Sequence, residues 1–360
     1  MNNKIDLRTD KGEYCVESDI HGAVYLNICQ PTEATGIKIS FKGVEKCFYE
    51  YSLEGKKESK TTEFIPIDIS DVPLYSHKDK YFEFGKYVFP FKFSLPGDIP
   101  GSFSHAKKTG KDNLTASVRY FIKAVVIGAE NIQIEHPIVV YQVREQEINH
   151  RLFVEAVNRT VDVPGLFMFK RKQIHITAKL LDNFVESGSN VQLKVIVTNE
   201  SSLKLTSFSI KLIRDLKLYF QSPSDDSHQT VCPEGGQLVL RSAYGNSDSI
   251  LISGGLDKLQ LPLFENLPEG IVDVPPSVSG KIFKNQYGVE VSVSFNNKCV
   301  ETFIINIPGV LPRKNHHWCT WHPPDWLFDC SVKLSSCQFS VTESVLHTEA
   351  FSNLPMFQVL

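Results

Sequence analysis

The side chains best suited to metal chemistry gather near the end of the chain. His316, His317, Cys319, His322, Cys330 and Cys337 share one stretch with Trp318, Trp321 and Trp326. Imidazole and thiolate bind zinc, but tetrahedral sites favour ligand pairs two to four residues apart, and His317, Cys319 and His322 match that spacing only loosely. No metal and no cofactor is therefore expected. The same stretch, TWHPPDWLFDC, is too aromatic for a solvated tail. It either packs back on the fold or serves as a short peptide that a partner reads, and the distal FSVTESVLHTEAFSNLPMF has the same apolar character.

Two basic clusters suit oxyanions. SHAKKTGKDN places His105, Lys107, Lys108 and Lys111 on one expected loop, and FKRK places Lys170, Arg171 and Lys172 farther along. Several cations within one short segment can hold a phosphorylated peptide or an inositol phosphate through charge-assisted hydrogen bonds. Carboxylate pairs give less: Asp225 and Asp226 sit in the polar run SPSDDSHQ, where solvation is their ordinary fate. The sequence contains no G-x-S-x-G elbow, phosphate-cradling glycine loop, H-E-x-x-H or C-x-x-C pair. The reading is of a protein that is not an enzyme.

A formal net charge of -3 over 360 residues gives no general field for nucleic acid or an anionic membrane, so contact with either requires a local patch. Nucleic acid is not an expected partner, and membrane association is expected to be peripheral at most. The start, MNNKIDLRTDKGEY, lacks the charged-then-apolar pattern of a secretory leader, and no apolar run reaches membrane-spanning length. The expected location is the cytoplasm, with the 8 cysteines reduced and the sequons at Asn113, Asn158 and Asn199 unused.

The elements that must carry these clusters are strands. In GIKISFKG, Ile37, Ile39 and Phe41 alternate with Lys38, Ser40 and Lys42, as one half-buried face requires. ASVRYFIKAVVIG, NVQLKVIVTN and YGVEVSVSFNN repeat the period. Only EQEINHRLFVEAV, from Glu145, could make a short helix, and it reads equally well as a connector. VESDIHGAVYLNI from Val16 is answered by VESGSNVQLKVIV from Val185, IKISF from Ile37 by FSIKL from Phe208, YFIKAVV from Tyr120 by YGVEVSV from Tyr287, and EHPIVV from Glu135 by ETFIIN from Glu301. Four segments matched at offsets between 166 and 171 indicate an internal duplication. The expected fold is all-β, with two tandem β-sandwiches at 1–148 and 171–310, a connection at 149–170 and a tail at 311–360.

One segment narrows this further. KYFEFGKYVFPFKFSLPGDIPGSF, followed by SVRYFIKAVV, resembles the N-domain signature of arrestins, closest to the α-arrestin (arrestin-domain-containing) branch, and NFVESGSNVQLKVIVTNESSLKLTSFSIKLIR resembles the opening of the arrestin C-domain. The residues read the same way unaided: Phe89, Phe91 and Phe93 form an aromatic core face, and Pro96-Gly97 and Pro100-Gly101 are turn formers. The resemblance implies an arrestin fold of two immunoglobulin-like sandwiches. It also implies an adaptor that links membrane receptors or transporters, phosphorylated or not, to an endocytic coat or a HECT-type ubiquitin ligase at the plasma membrane or endosomes. In that branch the tail carries P-P-x-Y motifs for WW domains, whereas here Pro323, Pro324 and Trp326 keep the prolines and replace the tyrosine. The alternatives are a retromer-type cargo subunit with the same double sandwich and a glycan-binding β-sandwich protein; the latter implies secretion and disulfides.

Overall fold

The computed structural model describes residues 2–53, 55–76, 80–109, 112–149, 156–163, 172–201, 203–219, 237–244, 256–262, 264–267, 270–296, 300–320 and 322. The first half runs β1 (Lys4–Thr9), β2 (Glu13–Cys15), β3 (Asp19–Ile28), β4 (Thr32–Glu33), β5 (Gly36–Leu53), β6 (Lys56–Ser76), β7 (Tyr81–Phe82), β8 (Gly85–Ser94), β9 (Phe103–Thr109), β10 (Asp112–Ile127) and β11 (Gln133–Tyr141). A short helix α1 (Glu145–Asn149) and β12 (Val157–Val163) lead into the second half. That half contains β13 (Lys172–Leu180), β14 (Phe184–Glu186), β15 (Asn190–Asn199), β16 (Leu205–Tyr219), β17 (Gln237–Tyr244), β18 (Leu256–Pro262), β19 (Phe264–Leu267), β20 (Gly270–Asp273), β21 (Val278–Ser279), β22 (Phe283–Phe295), β23 (Val300–Ile307) and β24 (Gly309–Leu311), followed by one helical turn, α2 (His316–Cys319).

The sheets repeat one plan. In the first sandwich β6, β5, β10 and β11 are neighbours in that order; in the second, β17, β16, β22 and β23 are. The facing sheets are β1-β3-β8 and β12-β13-β15-β18. Each half also has a short parallel pair, β2 with β11 and β14 with β24. The four repeated segments fall on β3 and β15, β5 and β16, β10 and β22, and β11 and β23. The fold is thus an all-β tandem of two sandwiches built on one plan.

Alternation builds both cores. Phe89, Phe91 and Phe93 on β8 are all buried, and Phe93 packs 5.5 Å from Phe41 on β5. Each half ties a turn to its core with one tyrosine. The Tyr120 hydroxyl donates to the Pro100 carbonyl at 2.6 Å, and the Tyr287 hydroxyl donates to the Pro275 carbonyl at 2.6 Å. Tyr120 fits because it stands opposite Gly43, where a Cβ would fall 2.5 Å from its ring.

Two local expectations change. The basic run 105–111 reads as a loop, but most of it is strand β9, paired antiparallel with β10 from Phe103↔Val118 to Thr109↔Asp112. The ladder satisfies backbone groups that a polar sequence alone does not reveal. Similarly, the segment 149–170 reads as a connection, but it contains β12, which pairs along β13 from Val157↔Ala178 to Val163↔Lys172.

Candidate functional site

β9 runs along the boundary between the sandwiches. Phe103, His105 and Lys107 lie on one face of it at period two, graded from buried through half-buried to exposed. The Phe103 ring lies 4.9 Å from the Phe283 ring of the second sandwich, tilted at 46°. His105 meets Arg214 on β16, whose Nη1 points at the imidazole, 3.5 Å from each ring nitrogen. Burial first, then the cations Arg214 and Lys107, push the His105 pKa down to about 3. His105 therefore leaves the basic set as a neutral ring. Lys107 remains an exposed cation on β9, and the backbone of Lys108 belongs to the same strand. Lys111, Lys170 and Arg171 lie outside the described residues, and Lys172 is exposed at the start of β13.

The boundary is polar as well as apolar. Leu216, Leu218, Val278, Ile282 and Phe283 of the second sandwich join the hydrophobic core of the first. Within this contact Glu45 of β5 is 0% exposed. Its carboxylate accepts the amides of Lys281 at 3.1 Å, Ile282 at 3.0 Å and Phe283 at 3.3 Å. Three successive N–H groups make a concave anion seat, and here the first sandwich supplies the anion. Burial raises the Glu45 pKa, and the three amide hydrogen bonds oppose that rise. A Cβ on Gly280 would fall 2.0 Å from Glu45 Oε1, so the turn needs glycine to let the carboxylate in. Beside it the Gln142 amide bridges to Ser279 in both directions: Nε2 donates to the carbonyl at 2.8 Å, and Oε1 accepts the amide at 2.7 Å.

Arg214 is the second buried charge of the boundary, 3% exposed. Its Nε donates to Asn285 Oδ1 at 2.6 Å, and Asn285 Nδ2 donates to the Pro276 carbonyl at 2.8 Å. Its Nη2 is buried without a hydrogen-bond partner. Neither Glu45 nor Arg214 figured in the sequence reading. The available signal was phase: each occupies an inward position of an otherwise apolar alternation, Glu45 after Ile37, Ile39 and Phe41, Arg214 after Phe208, Ile210 and Leu212.

The start of the tail returns to the first sandwich. Arg8 of β1 lies 4.3 Å over the Trp318 ring and donates to the Trp318 carbonyl at 3.0 Å. The indole Nε1 donates to the Thr9 carbonyl at 3.1 Å, and Asn315 Nδ2 donates to the Gly12 carbonyl at 3.2 Å. Gly12 permits the approach, since its Cβ would sit 2.6 Å from that of Trp318. Arg313 pairs with Asp273 at 2.8 Å, so residues 313–318 touch both sandwiches. Cys319 and His322 are exposed, and among the described residues no three His, Cys, Asp or Glu side chains are grouped to hold a metal ion. Trp321, Pro323, Pro324, Trp326, Cys330 and Cys337 lie outside the described residues, as does the distal apolar segment. Among the described residues Cys15, Cys29, Cys47 and Cys319 are free thiols, and no helix is long and apolar enough to cross a membrane.

Comparison with known proteins agrees with this architecture. Residues 3–147 match the family model described as "Arrestin (or S-antigen), N-terminal domain", and residues 170–312 match "Arrestin (or S-antigen), C-terminal domain". Arrestin domain-containing protein A of Dictyostelium discoideum is 23% identical over 210 residues, covering 55% of this chain and 35% of that protein. Arrestin domain-containing protein B of the same organism is 21% identical over 254 residues, 64% of this chain and 39% of the relative. The matched regions thus span under two fifths of either relative's length. With both halves matched in order, the chain belongs to the arrestin family.

Proposed function

We propose that the chain is a non-catalytic adaptor that works in the cytoplasm and is recruited to the plasma membrane or endosomes. There it links membrane receptors or transporters to endocytic-coat or HECT-type ubiquitin-ligase machinery. The observation that carries this reading is the joined pair of arrestin sandwiches, whose boundary is sealed by Glu45, Gln142 and a shared apolar core. A body of this kind acts through surface complementarity, and its exposed strands and loops supply the docking area.

Lys107, with Lys108 and Lys111 near it, is the proposed contact for a phosphorylated segment of the cargo, and Lys170, Arg171 and Lys172 form a second proposed contact. Pro323, Pro324 and Trp326 are the proposed ligase-facing motif, in which two prolines favour the extended form that aromatic grooves accept. Affinity capture from the native cell tests the reading, using the full chain and a chain ending at His322. The expected result is receptors or transporters with both and ligases with the full chain only. Recovery of no trafficking protein with either would overturn it.

A further inference from the structure

A sheet edge exposes a row of N–H and C=O groups that invites another strand, and this fold guards several of its own edges. The Leu95 amide donates to the Ser18 carbonyl, so along β8 the odd-numbered residues face β3 and the even-numbered ones face away; Pro90 stands among the latter and has no N–H. On β1 the Leu7 amide donates to Asp6 Oδ1 at 2.8 Å, and the Thr9 carbonyl accepts the Trp318 indole. β6 carries Pro66 and Pro73, with three register shifts against β5. β12 closes the sheet β12-β13-β15-β18 and, among the described residues, has no such guard. It pairs with β13 in one unbroken register over VNRTVDV, which contains neither proline nor glycine. The Glu200 amide donates to the Gln173 carbonyl and the Leu181 amide to the Gln192 carbonyl, so odd-numbered residues of β13 face β15 and even-numbered ones face β12. The partners of the even ones are Val157, Arg159, Val161 and Val163, which leaves the N–H and C=O groups of Asn158, Thr160 and Asp162 on the open side. All three residues are exposed, and their side chains turn back to β13. Asn158 Oδ1 accepts Thr177 Oγ1 at 2.8 Å, Thr160 Oγ1 meets His175 Nδ1 at 3.1 Å, and Asp162 Oδ1 accepts Gln173 Nε2 at 3.0 Å.

We propose that β12 pairs with β12 of a second copy of this chain, antiparallel, about a two-fold axis at Thr160. The segment is self-complementary in that register. Asn158 of one copy stands opposite Asp162 of the other and Thr160 opposite Thr160, so outward groups meet outward groups in three pairs that exchange two hydrogen bonds each. Moving the axis to Arg159 or Val161 keeps only two such pairs within the strand. The side-chain nitrogen of Asn158, whose oxygen is taken by Thr177, is the donor that a carboxylate opposite it needs. Arg159 lies 5.9 Å over the Phe303 ring of the facing sheet, which turns its charge away from the axis. A short edge buries little area, so the pairing belongs to the weak, reversible class. In the proposed adaptor a pair carries two of every cargo-facing surface and holds clustered cargo bivalently. The pairing itself does not rest on that reading.

The test is sedimentation of the full chain under reducing conditions from about 1 to about 100 μM, the range in which weak interfaces associate. The expected result is an average mass that climbs with concentration toward twice that of the monomer. A monomer throughout refutes the pairing, whether or not the chain then takes up an extended foreign peptide. Thr160→Pro removes an N–H that the β13 ladder does not use, so the fold should keep its melting temperature while association weakens roughly tenfold or more. Unchanged association in that variant assigns the dimer to another surface and refutes the edge. Thr160→Cys keeps the test independent of the proline. Residues directly opposite each other in such a pair have Cα atoms about 5.5 Å apart, within disulfide reach, so mild oxidation should link the two copies through position 160 in peptide mapping. Links through native thiols alone refute the register. On the wild type, the amides of Asn158, Thr160 and Asp162 should exchange several-fold more slowly at high concentration than at low, while those of Arg159 and Val161, held by β13, stay as they are. Equal exchange at both concentrations refutes the proposal.

Discussion

Glu45 and Arg214 both sit at inward positions on the long central strand of their sandwich, and both end at the boundary between the two. Their surroundings differ. Glu45 is enclosed by three backbone amides from the partner sandwich, so its burial is offset and the turn at Gly280 depends on it. Arg214 receives one amide oxygen and leaves a nitrogen unsatisfied. The comparison teaches that a buried charge is structural when the backbone around it is shaped for its sign. Where that shaping is incomplete, the charge stays partly uncompensated and its burial costs stability.

The sharpest way to break the comparison is to remove each charge. Glu45→Ala orphans three amides, two of them buried, and leaves a void, so the expected loss is about 3 kcal/mol or more in chemical denaturation. A loss under about 1 kcal/mol would mean that water or a neighbouring group replaces the carboxylate. Below that in size, Tyr120→Phe and Tyr287→Phe each remove one hydrogen bond to a proline carbonyl and should cost about 1 kcal/mol apiece. Similar costs are expected, because the two tyrosines hold equivalent turns in the duplicated plan.

Trp318→Ala should act locally. It removes the ring under Arg8 and the bond to Thr9, so cleavage by trypsin after Arg313 and Lys314 should accelerate several-fold with little change in the global midpoint. By contrast Arg214→Met should leave stability unchanged or raise it, as replacement of an incompletely compensated buried charge often does. A loss as large as that of Glu45→Ala would erase the distinction between the two sites.

The last effect is a pH slope. Burial and then Arg214 and Lys107 hold the folded His105 near pKa 3, below its ordinary 6.5, so the unfolded chain takes up a proton that the folded one refuses. The associated stability is complete above about pH 6.5 and declines as pH falls from there toward 3. Glu45 has the opposite sign, since its raised folded pKa makes the folded state hold a proton more firmly as acidity rises. Subtracting the stability profile of His105→Gln from that of the wild type between pH 7 and 5 should leave a difference that grows toward acid. A flat difference would place the ring in water.

Much of the fold was legible because alternation and duplication are local properties of the chain. Phe89, Phe91 and Phe93 announce a core face, and the repeated segments at Val16 and Val185 fall on equivalent strands β3 and β15. β9 was not legible: SHAKKTGKDN has the composition of a turn, and only pairing along β10 makes most of it a strand. β12 was hidden likewise, because its partner β13 lies beyond the connection. At the candidate site Lys107 was readable by type, whereas the neutrality of His105 depends first on burial and then on a guanidinium more than a hundred residues away in the chain. Glu45 and Arg214 showed only as polar letters in an apolar phase. What each meets is decided by the packing of one sandwich on the other.

Amide hydrogen exchange at Lys281, Ile282 and Phe283, compared between wild type and Glu45→Ala, addresses the joined-body claim most directly. Strong protection of the three amides in the wild type, lost selectively in the variant while the β16–β22 ladder stays protected, is the expected result. Equal exchange in both proteins would contradict it, because the two sandwiches would then not be held together through this carboxylate.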